Sequence, residues 1–311
     1  MSEHGNALRP RKASKQARVL GVIVAGGLAF LFFAAPPATT APSSRIPVVA
    51  AENFYGDVVA QLGGDHVSVT SIISDPNVDP HAYETNATDA AAVADARLVI
   101  QNGLGYDAFI EHLVAASPNP RRTVIVVGAL TGHKEGDNPH VWYALSTMPK
   151  VAEAVVDVLS QADPPNADFY RARHQVFLES LQPLTRAVAR IQDRHLGAPI
   201  AATEPVFGYM AQAIGLRVLT PHAFQKAIEE GVDPSAAAIA QMEDQLKTHQ
   251  VKVLVYNTQT VSSITRRTRQ MADRLGIPIV GVSETEPPGK SYQQWMLAQL
   301  EELDAALNLG K

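Results

Sequence analysis

Short apolar runs alternate with stretches of helical periodicity from position 46 onward. The strand-like runs are "RIPVVAAEN", "HVSVTSIIS", "RLVIQNGLG" and "TVIVVGAL", and the helix-like stretches between them include "FYGDVVAQLGG" and "DAFIEHLVAAS". Strands rich in Val and Ile that alternate with helices are typical of parallel βαβ units. The pattern therefore predicts an α/β lobe over residues 46–165.

The same alternation returns after Gly197. Strand-like runs such as "APIAATE", "VKVLVYNT" and "IPIVGVSE" are separated by helix-like stretches such as "SAAAIAQMEDQLKTHQ". They predict a second α/β lobe over residues 197–311. Apolar residues near helical spacing predict one long linking helix over 166–196, which Pro183 should kink or break because proline cannot donate to the preceding turn. Two lobes joined by a helix indicate a ligand cleft between them.

The first 45 residues have the order of a secretory signal. Basic residues between Arg9 and Arg18 precede an apolar run over 19–35, and small residues follow in "PPATTAPSS". The run is short for a membrane span, although an uncleaved anchor needs only about 17 residues. Cleavage and anchoring both stay open. Either one predicts an extracytoplasmic protein, in the periplasm or at the cell surface.

Charge and cysteine content exclude several classes of function. The formal net charge of the 311-residue chain is −5, and residues of both signs are spread along it. This distribution offers no basic surface for nucleic acid or for an anionic membrane. The chain has no cysteine, which excludes disulfides, thiolate metal ligands, thiol nucleophiles and a lipid-anchored cysteine.

Two histidines follow proline directly, each after a predicted strand of the first lobe. His81 lies in "SDPNVDPHAYE" after "VSVTSII", and His140 lies in "DNPHVWYAL" after "TVIVVGAL". Ligands of open α/β sheets bind beyond the carboxyl ends of the strands. Either histidine alone is typical of a surface loop, but proline restricts the backbone and lowers the entropy lost on binding a metal. The pair therefore predicts two nitrogen ligands.

Acidic residues occupy the corresponding positions in the second lobe. Glu204 ends the strand-like run "APIAATE", and Glu284 and Glu286 follow "IPIVGV". Glu204 is either a ligand or an acid at a helix N-terminus, where the helix dipole favours it. Of Glu284 and Glu286, one is expected to bind metal and the other to face water. In the first lobe, Asn102, Gly103 and Asp107 are expected to form a turn and a helix cap.

The order of these segments carries a resemblance to a known family. The segments "DPHAYE", "NGLGYD", "NPHVWYAL", "EPVFGYMAQAIGL" and "SETEPPGKSYQQWM" resemble, in this order, the zinc- and manganese-binding solute-binding proteins of ABC transporters. The resemblance covers nearly all of the chain after the signal segment. It implies two (β/α) lobes bridged by a long helix, with a metal in the inter-lobe cleft.

The resemblance also implies a ligand set. His81 and His140 match the first two ligands of the family. Glu204 stands where many members have a third histidine and where some manganese-type members have glutamate. The segment "SET" matches the family's last acidic ligand, which favours Glu284 over Glu286. The implied cargo is Zn²⁺ or Mn²⁺, and the implied partner is an ABC permease that receives the metal from a monomeric binding protein.

The metal and the class of function have alternatives. Two imidazoles and two carboxylates favour manganese more than three imidazoles do, whereas the general affinity order favours zinc. A metal-dependent hydrolase is the main alternative function, because a bound metal can activate water. The sequence contains neither "HExxH" nor "GxSxG", so we expect no enzymatic activity. An adhesion protein on the same scaffold is a third possibility.

Overall fold

The computed structural model describes residues 45–75 and 83–309, and within them each predicted lobe contains a parallel four-stranded sheet. In the first lobe the strand order is β2-β1-β3-β4. The strands are β1 Ile46–Glu52, β2 Val67–Ile73, β3 Leu98–Gln101 and β4 Thr123–Val126. The helices are α1 Asn53–Gly63, α2 Ala87–Asp95, α3 Ala108–Ala116, α4 Val127–Thr131 and α5 Thr147–Ala162.

The segment between the lobes forms two consecutive helices, α6 Ala167–Ser180 and α7 Gln182–His195. Leu181 separates them and keeps helical backbone angles, with φ −80° and ψ −14°. Pro183 lies in the first turn of α7, where its missing N–H leaves no hydrogen bond unmade. The predicted linking helix is therefore present, and it is interrupted just before Pro183 as the sequence indicated.

The second lobe repeats the arrangement of the first. Its strand order is β6-β5-β7-β8. The strands are β5 Pro199–Ala202, β6 Arg217–Val218, β7 Leu254–Asn257 and β8 Ile279–Val282. The helices are α8 Gly208–Ile214, α9 His222–Glu229, α10 Ala236–Lys247, α11 Ser263–Arg274 and α12 Tyr292–Leu309. The prediction of two parallel α/β lobes is confirmed, while the domain boundaries at 46–165, 166–196 and 197–311 stay a prediction.

The central strands are buried on both faces, as expected for parallel sheets that helices cover. All four residues of β3 and of β7 are buried. In each sheet the second strand lies on one side of the first strand, and the third strand lies on the other side. β1 therefore adjoins β3 in the first lobe, and β5 adjoins β7 in the second. The carboxyl ends of these adjoining strands are where doubly wound sheets bind ligands.

An aromatic cluster joins the two lobes. The ring of Phe54 in α1 stacks on Trp142, with centroids 4.7 Å apart, and lies 5.9 Å from the ring of Trp295 in α12. The hydroxyl of Tyr292 in α12 donates to the backbone oxygen of Trp142 at 2.7 Å. Because Phe54 and Trp142 belong to the first lobe and α12 to the second, the cluster fixes one lobe against the other.

No helix in the described part of the chain is long and apolar enough to cross a membrane. Of the predicted signal or anchor segment, 1–45, only Arg45 is among the described residues. The predicted export signal or anchor therefore stays a prediction from the sequence.

We predict that Phe54→Ala lowers the free energy of unfolding by about 3–5 kcal/mol, because it leaves a cavity in the inter-lobe cluster. Urea unfolding followed by tryptophan fluorescence measures this change. The matched control is Phe169→Ala, whose ring is 38% exposed and whose loss should cost about 1 kcal/mol. Equal losses in the two variants would show that the cluster does not join the lobes as described.

Candidate metal centre

Three of the four predicted ligands lie among the described residues, and all three are buried. His140 directly precedes the short 3₁₀ helix Val141–Tyr143 and is 1% exposed. Glu204 follows β5 and is 2% exposed, and Glu284 follows β8 and is 1% exposed. The fourth, His81, lies outside the described residues, so its assignment stays a prediction.

His140 and Glu284 meet across the cleft. The Nε2 atom of the His140 ring lies 3.5 Å from Oε2 of Glu284. The hydroxyl of Tyr106, from the first lobe, donates to the same Glu284 oxygen at 2.9 Å. A histidine and a tyrosine of one lobe therefore converge on a carboxylate of the other.

Glu204 is linked to Glu284 by the side chain of Asn257, the last residue of β7. The Nδ2 atom of Asn257 donates to Oε1 of Glu284 at 2.6 Å and also to Oε2 of Glu204. Glu204 does not cap the 3₁₀ turn Pro205–Phe207 that follows it. Its carboxylate is thus directed to Asn257. Glu204 also stands at the N-terminal end of this turn, so both interpretations of Glu204 stay predictions.

Asn138 orients the His140 ring. Its Oδ1 atom lies 2.7 Å from Nδ1 of His140 and accepts the backbone N–H of the same histidine at 3.1 Å. Since an amide oxygen only accepts hydrogen bonds, Nδ1 must carry the proton in this contact. Nε2, the nitrogen on the Glu284 side, is then the atom suited to bind a metal.

Asn138 also ties the His140 loop to the second lobe. Its Nδ2 atom donates at 2.9 Å to the backbone oxygen of Pro205, the residue after Glu204. The Tyr209 hydroxyl donates to the backbone oxygen of Asn138 at 2.8 Å. These contacts hold the segments that carry His140 and Glu204 side by side.

The turn predicted at Asn102 and Asp107 supports the same loop. The Asp107 carboxylate accepts the backbone N–H groups of Asn102 and Gly103, at 2.6 and 2.8 Å. It makes no side-chain capping bond to α3, so the turn is confirmed and the predicted helix cap is wrong. The Nδ2 atom of Asn102 donates at 2.9 Å to the backbone oxygen of Pro139, which immediately precedes His140.

Glu286 occupies a different environment from Glu284. Its backbone N–H donates to Oδ1 of Asn53 at 3.0 Å, and Nδ2 of Asn53 donates to its backbone oxygen at 2.7 Å. Burial, and to a smaller extent the charge of Asp57, raise the pKa of Glu286 to about 9. The expectation that the second glutamate faces water is wrong, because Asn53 and Asp57 of α1 pack over it and leave it 7% exposed.

A buried carboxyl pair lies on the first-lobe side of the cleft. Glu52, at the end of β1, is fully buried; burial raises its pKa well above the ordinary value, and the charge of Asp107 raises it further. Burial also raises the pKa of Asp107 to about 6, although the amides of Gly103 and Asn102 oppose this rise. Burial and the neighbouring charge of Asp107 therefore both favour the protonated form of Glu52.

The sequence analysis did not identify Asn138, Asn257 or Glu229 as parts of the site. Oε1 of Glu229, at the end of α9, lies 3.7 Å from Nδ1 of His140. Asn257 ends a predicted strand. Glu204 was selected because ligands of open α/β sheets bind at the carboxyl ends of strands, and the same rule could have selected Asn257. Glu229 ends a helix, and only the packing of α9 against the cleft brings it to His140.

Within residues 45–75 and 83–309, no group of three or more His, Asp or Glu side chains is placed so that it could hold a metal ion. What the structure brings together is His140 with Glu284 directly, and Glu204 with Glu284 through Asn257. One imidazole and two carboxylates from both lobes are thus close neighbours in a buried cleft. Nitrogen and carboxylate oxygen donors of this kind suit divalent transition metals.

Two parallel α/β lobes with buried histidine and carboxylate groups between them make up the architecture of a two-lobed binding protein. Residues 48–306 match the family ZnuA, described as zinc-uptake complex component A, periplasmic, and the chain belongs to that family. The resemblance found in the sequence is thereby confirmed.

Relatives named for metal binding are similar to this chain. The manganese-binding lipoprotein MntA of Halalkalibacterium halodurans is 28% identical over 185 residues. This match covers 57% of this chain and 60% of that relative, which is less than two thirds of the relative's length. The manganese ABC transporter substrate-binding lipoprotein PsaA of Streptococcus mitis is 24% identical over 291 residues, covering 86% and 91% of the two chains.

A solved structure confirms the fold. The periplasmic zinc-binding protein TroA of Treponema pallidum superimposes with a TM-score of 0.72, covering 85% of this chain and 99% of that chain. The two sequences are 20% identical, so this likeness establishes the two-lobed architecture alone.

We predict that Glu52→Gln stabilises the protein at pH 8 and has little effect at pH 4. The folded pKa of Glu52 lies above its unfolded value, so the wild type loses stability as pH rises above about 4.3, and glutamine removes that loss. Each unit of pKa difference corresponds to about 1.4 kcal/mol.

Urea unfolding at the two pH values measures this effect. The control is Glu302→Gln on α12, whose side chain is exposed. A stability difference for Glu52→Gln that is the same at both pH values would mean that folding does not raise the pKa of Glu52.

Proposed function

We propose that this protein captures a divalent transition metal outside the cytoplasm and delivers it to an ABC permease. The observation that carries the proposal is the approach of His140 in one lobe to Glu284 in the other, 3.5 Å apart and buried. Membership in the zinc-uptake family supports it, as do the names of MntA, PsaA and TroA. The metal is cargo, so no chemistry is performed on it and the protein is not an enzyme.

His81, His140, Glu204 and Glu284 are the proposed ligands. Glu284 is preferred to Glu286 because its carboxylate lies beside His140, whereas Glu286 is packed against Asn53 and Asp57 of α1. The burial of His140, Glu204 and Glu284 supports a site closed by protein groups. Catalytic zinc sites keep one position open to water or substrate, so the closed arrangement favours transport over hydrolysis.

The cargo is Zn²⁺ or Mn²⁺. Carboxylate oxygens suit manganese, while zinc binds most nitrogen and oxygen sites more tightly than manganese does. The protein acts as a monomer that one permease complex accepts. Export uses the segment 1–45, as a cleaved signal or as an uncleaved anchor. The chain has no cysteine, so it cannot be held by a lipid on cysteine as a lipoprotein is.

We predict that His140→Ala weakens metal binding by more than about 100-fold, since losing even an outer-shell partner of a ligand costs about 10–100-fold. Calorimetric titration of tag-free protein with Zn²⁺ and Mn²⁺ measures the affinities. His81→Ala should have a similar effect if His81 is the fourth ligand.

The control is His222→Ala, because His222 is an exposed histidine on α9 that lines the outer opening beside Asn138 and Glu229. It should bind both metals with wild-type affinity. Wild-type affinity in His140→Ala would refute the proposed site, and so would equal losses in His140→Ala and His222→Ala.

We predict that Glu204→His shifts the preference of the site toward zinc by about tenfold, because an imidazole nitrogen replaces a carboxylate oxygen. Competition between Zn²⁺ and Mn²⁺ for the variant and the wild type measures the ratio of the two dissociation constants. The matched control is Glu230→His on α9, an exposed acid near the same opening. An unchanged ratio in Glu204→His would remove Glu204 from the ligand set.

A further inference from the structure

The loop between β8 and α12 carries Glu284 and is held by both lobes. Its first part is held within the second lobe, where Oε1 of Gln259 accepts the backbone N–H groups of Glu284 and Thr285, at 2.5 and 3.0 Å. The next residue, Glu286, is held by a side chain of the first lobe. Glu284 therefore lies just before the point where the loop passes from the contacts of one lobe to those of the other.

Asn53, the first residue of α1, pairs with the backbone of Glu286 at two points. Its Oδ1 atom accepts the Glu286 N–H at 3.0 Å, and its Nδ2 atom donates to the Glu286 backbone oxygen at 2.7 Å. A side-chain amide carries both a donor and an acceptor, so it pairs with a peptide segment as a neighbouring strand does. Pro287 follows Glu286 and favours an extended backbone there.

Asp57 holds the other end of the same loop. Its Oδ2 atom accepts the backbone N–H of Tyr292, the first residue of α12, at 2.9 Å. Asn53 and Asp57 are four residues apart on α1, so their side chains lie on the same face of the helix. We call this pair the α1 clamp, because it fixes the loop at Glu286 and again at Tyr292.

The α1 clamp acts between the lobes. Helix α1 belongs to the first lobe, and the loop that it holds belongs to the second. Glu284 is only two residues before Glu286, so the clamp limits how far the Glu284 carboxylate can move from His140, whose Nε2 atom lies 3.5 Å from Oε2 of Glu284.

We propose that Asn53 and Asp57 are positioning residues that hold the Glu284 loop against the first lobe and so slow the release of bound metal. The inference rests on the function proposed above, with Glu284 as a ligand. The clamp acts on Glu284 through backbone atoms of the loop. Its loss should therefore change mainly the dissociation rate, in which most affinity differences between related complexes lie.

The test measures how fast Zn²⁺ leaves the tag-free protein, by stopped-flow transfer to a chromogenic chelator at several chelator concentrations. Asn53→Leu removes both hydrogen bonds to Glu286 and keeps a side chain of similar volume. We expect the dissociation rate to rise about tenfold or more, because two hydrogen bonds that hold the loop are lost. The association rate should change less than the dissociation rate. Urea unfolding checks that each variant is folded.

Asp57→Leu is the second variant. It removes the contact with Tyr292 and leaves Asn53 in place, so it should also speed zinc release. Asp57→Asn keeps a side-chain oxygen that can accept the Tyr292 N–H. It should restore most of the slow release that Asp57→Leu loses, which general damage to α1 would not allow.

The control is Gln293→Ala at the same interface. Gln293 of α12 exchanges hydrogen bonds with Gln61 of α1, at 2.9 and 3.0 Å, and donates to Oγ of Ser180 at 2.7 Å. This variant breaks hydrogen bonds between the lobes and leaves the α1 clamp intact. It should release zinc at the wild-type rate.

Two further measurements show whether the clamp acts through Glu284. Backbone hydrogen exchange without metal should become faster at Glu286 in Asn53→Leu and at Tyr292 in Asp57→Leu, and at neither residue in Gln293→Ala. In a Glu284→Ala background, Asn53→Leu should change zinc release by less than about threefold, because the two substitutions then remove the same interaction.

The outcomes separate this inference from the proposed function. Faster release in both leucine variants but not in Gln293→Ala, with the Asn53→Leu effect lost in the Glu284→Ala background, supports the inference. Unchanged release in either leucine variant, an equal effect of Gln293→Ala, or the same Asn53→Leu effect with and without Glu284 overturns it and leaves the proposed function intact. If Glu284→Ala binds and releases zinc as the wild type does, the proposed ligand set fails and the inference with it.

Discussion

The carboxylates of Glu204 and Glu284 are almost completely buried between the lobes, and this burial governs the chemistry of the cleft. A buried negative charge is costly unless donors or a cation compensate it. Asn257 donates to both carboxylates, and Tyr106 donates to Glu284. These neutral donors add no positive charge to the cleft. A divalent cation bound between the lobes, as proposed above, would supply that charge.

The compensation draws on both lobes. Tyr106 and His140 belong to the first lobe, and both approach Glu284 in the second. The linking helices pack on both lobes, α6 against α1 and α5, and α7 against α8 and α12. Together with the aromatic cluster around Trp142, they resist wide opening of the cleft. In the proposed function, metal entry and release would then depend on movements of the ligand-bearing loops more than on rotation of whole lobes.

Much of the fold and part of the site follow from the sequence. Val- and Ile-rich runs identify the strands, and the strand-end rule selects His140, Glu204 and Glu284. The rule does not show which neighbour each side chain meets, so the bridge made by Asn257 was missed. Burial of Glu286 was missed because periodicity within one segment cannot show that Asn53 and Asp57, more than two hundred residues earlier, pack over it.

Ligand identity alone does not decide which metal this cleft prefers. Two carboxylates supply hard oxygen donors, which suit manganese, and by this criterion Glu204 moves the site away from zinc. The way in which neighbouring groups hold the proposed ligands is a separate variable. Asn257 joins Glu204 to Glu284, and Asn138 accepts the proton on Nδ1 of His140. In the proposed centre, selectivity would therefore depend on these neighbours, which orient the ligands, as well as on the residues that supply the donor atoms.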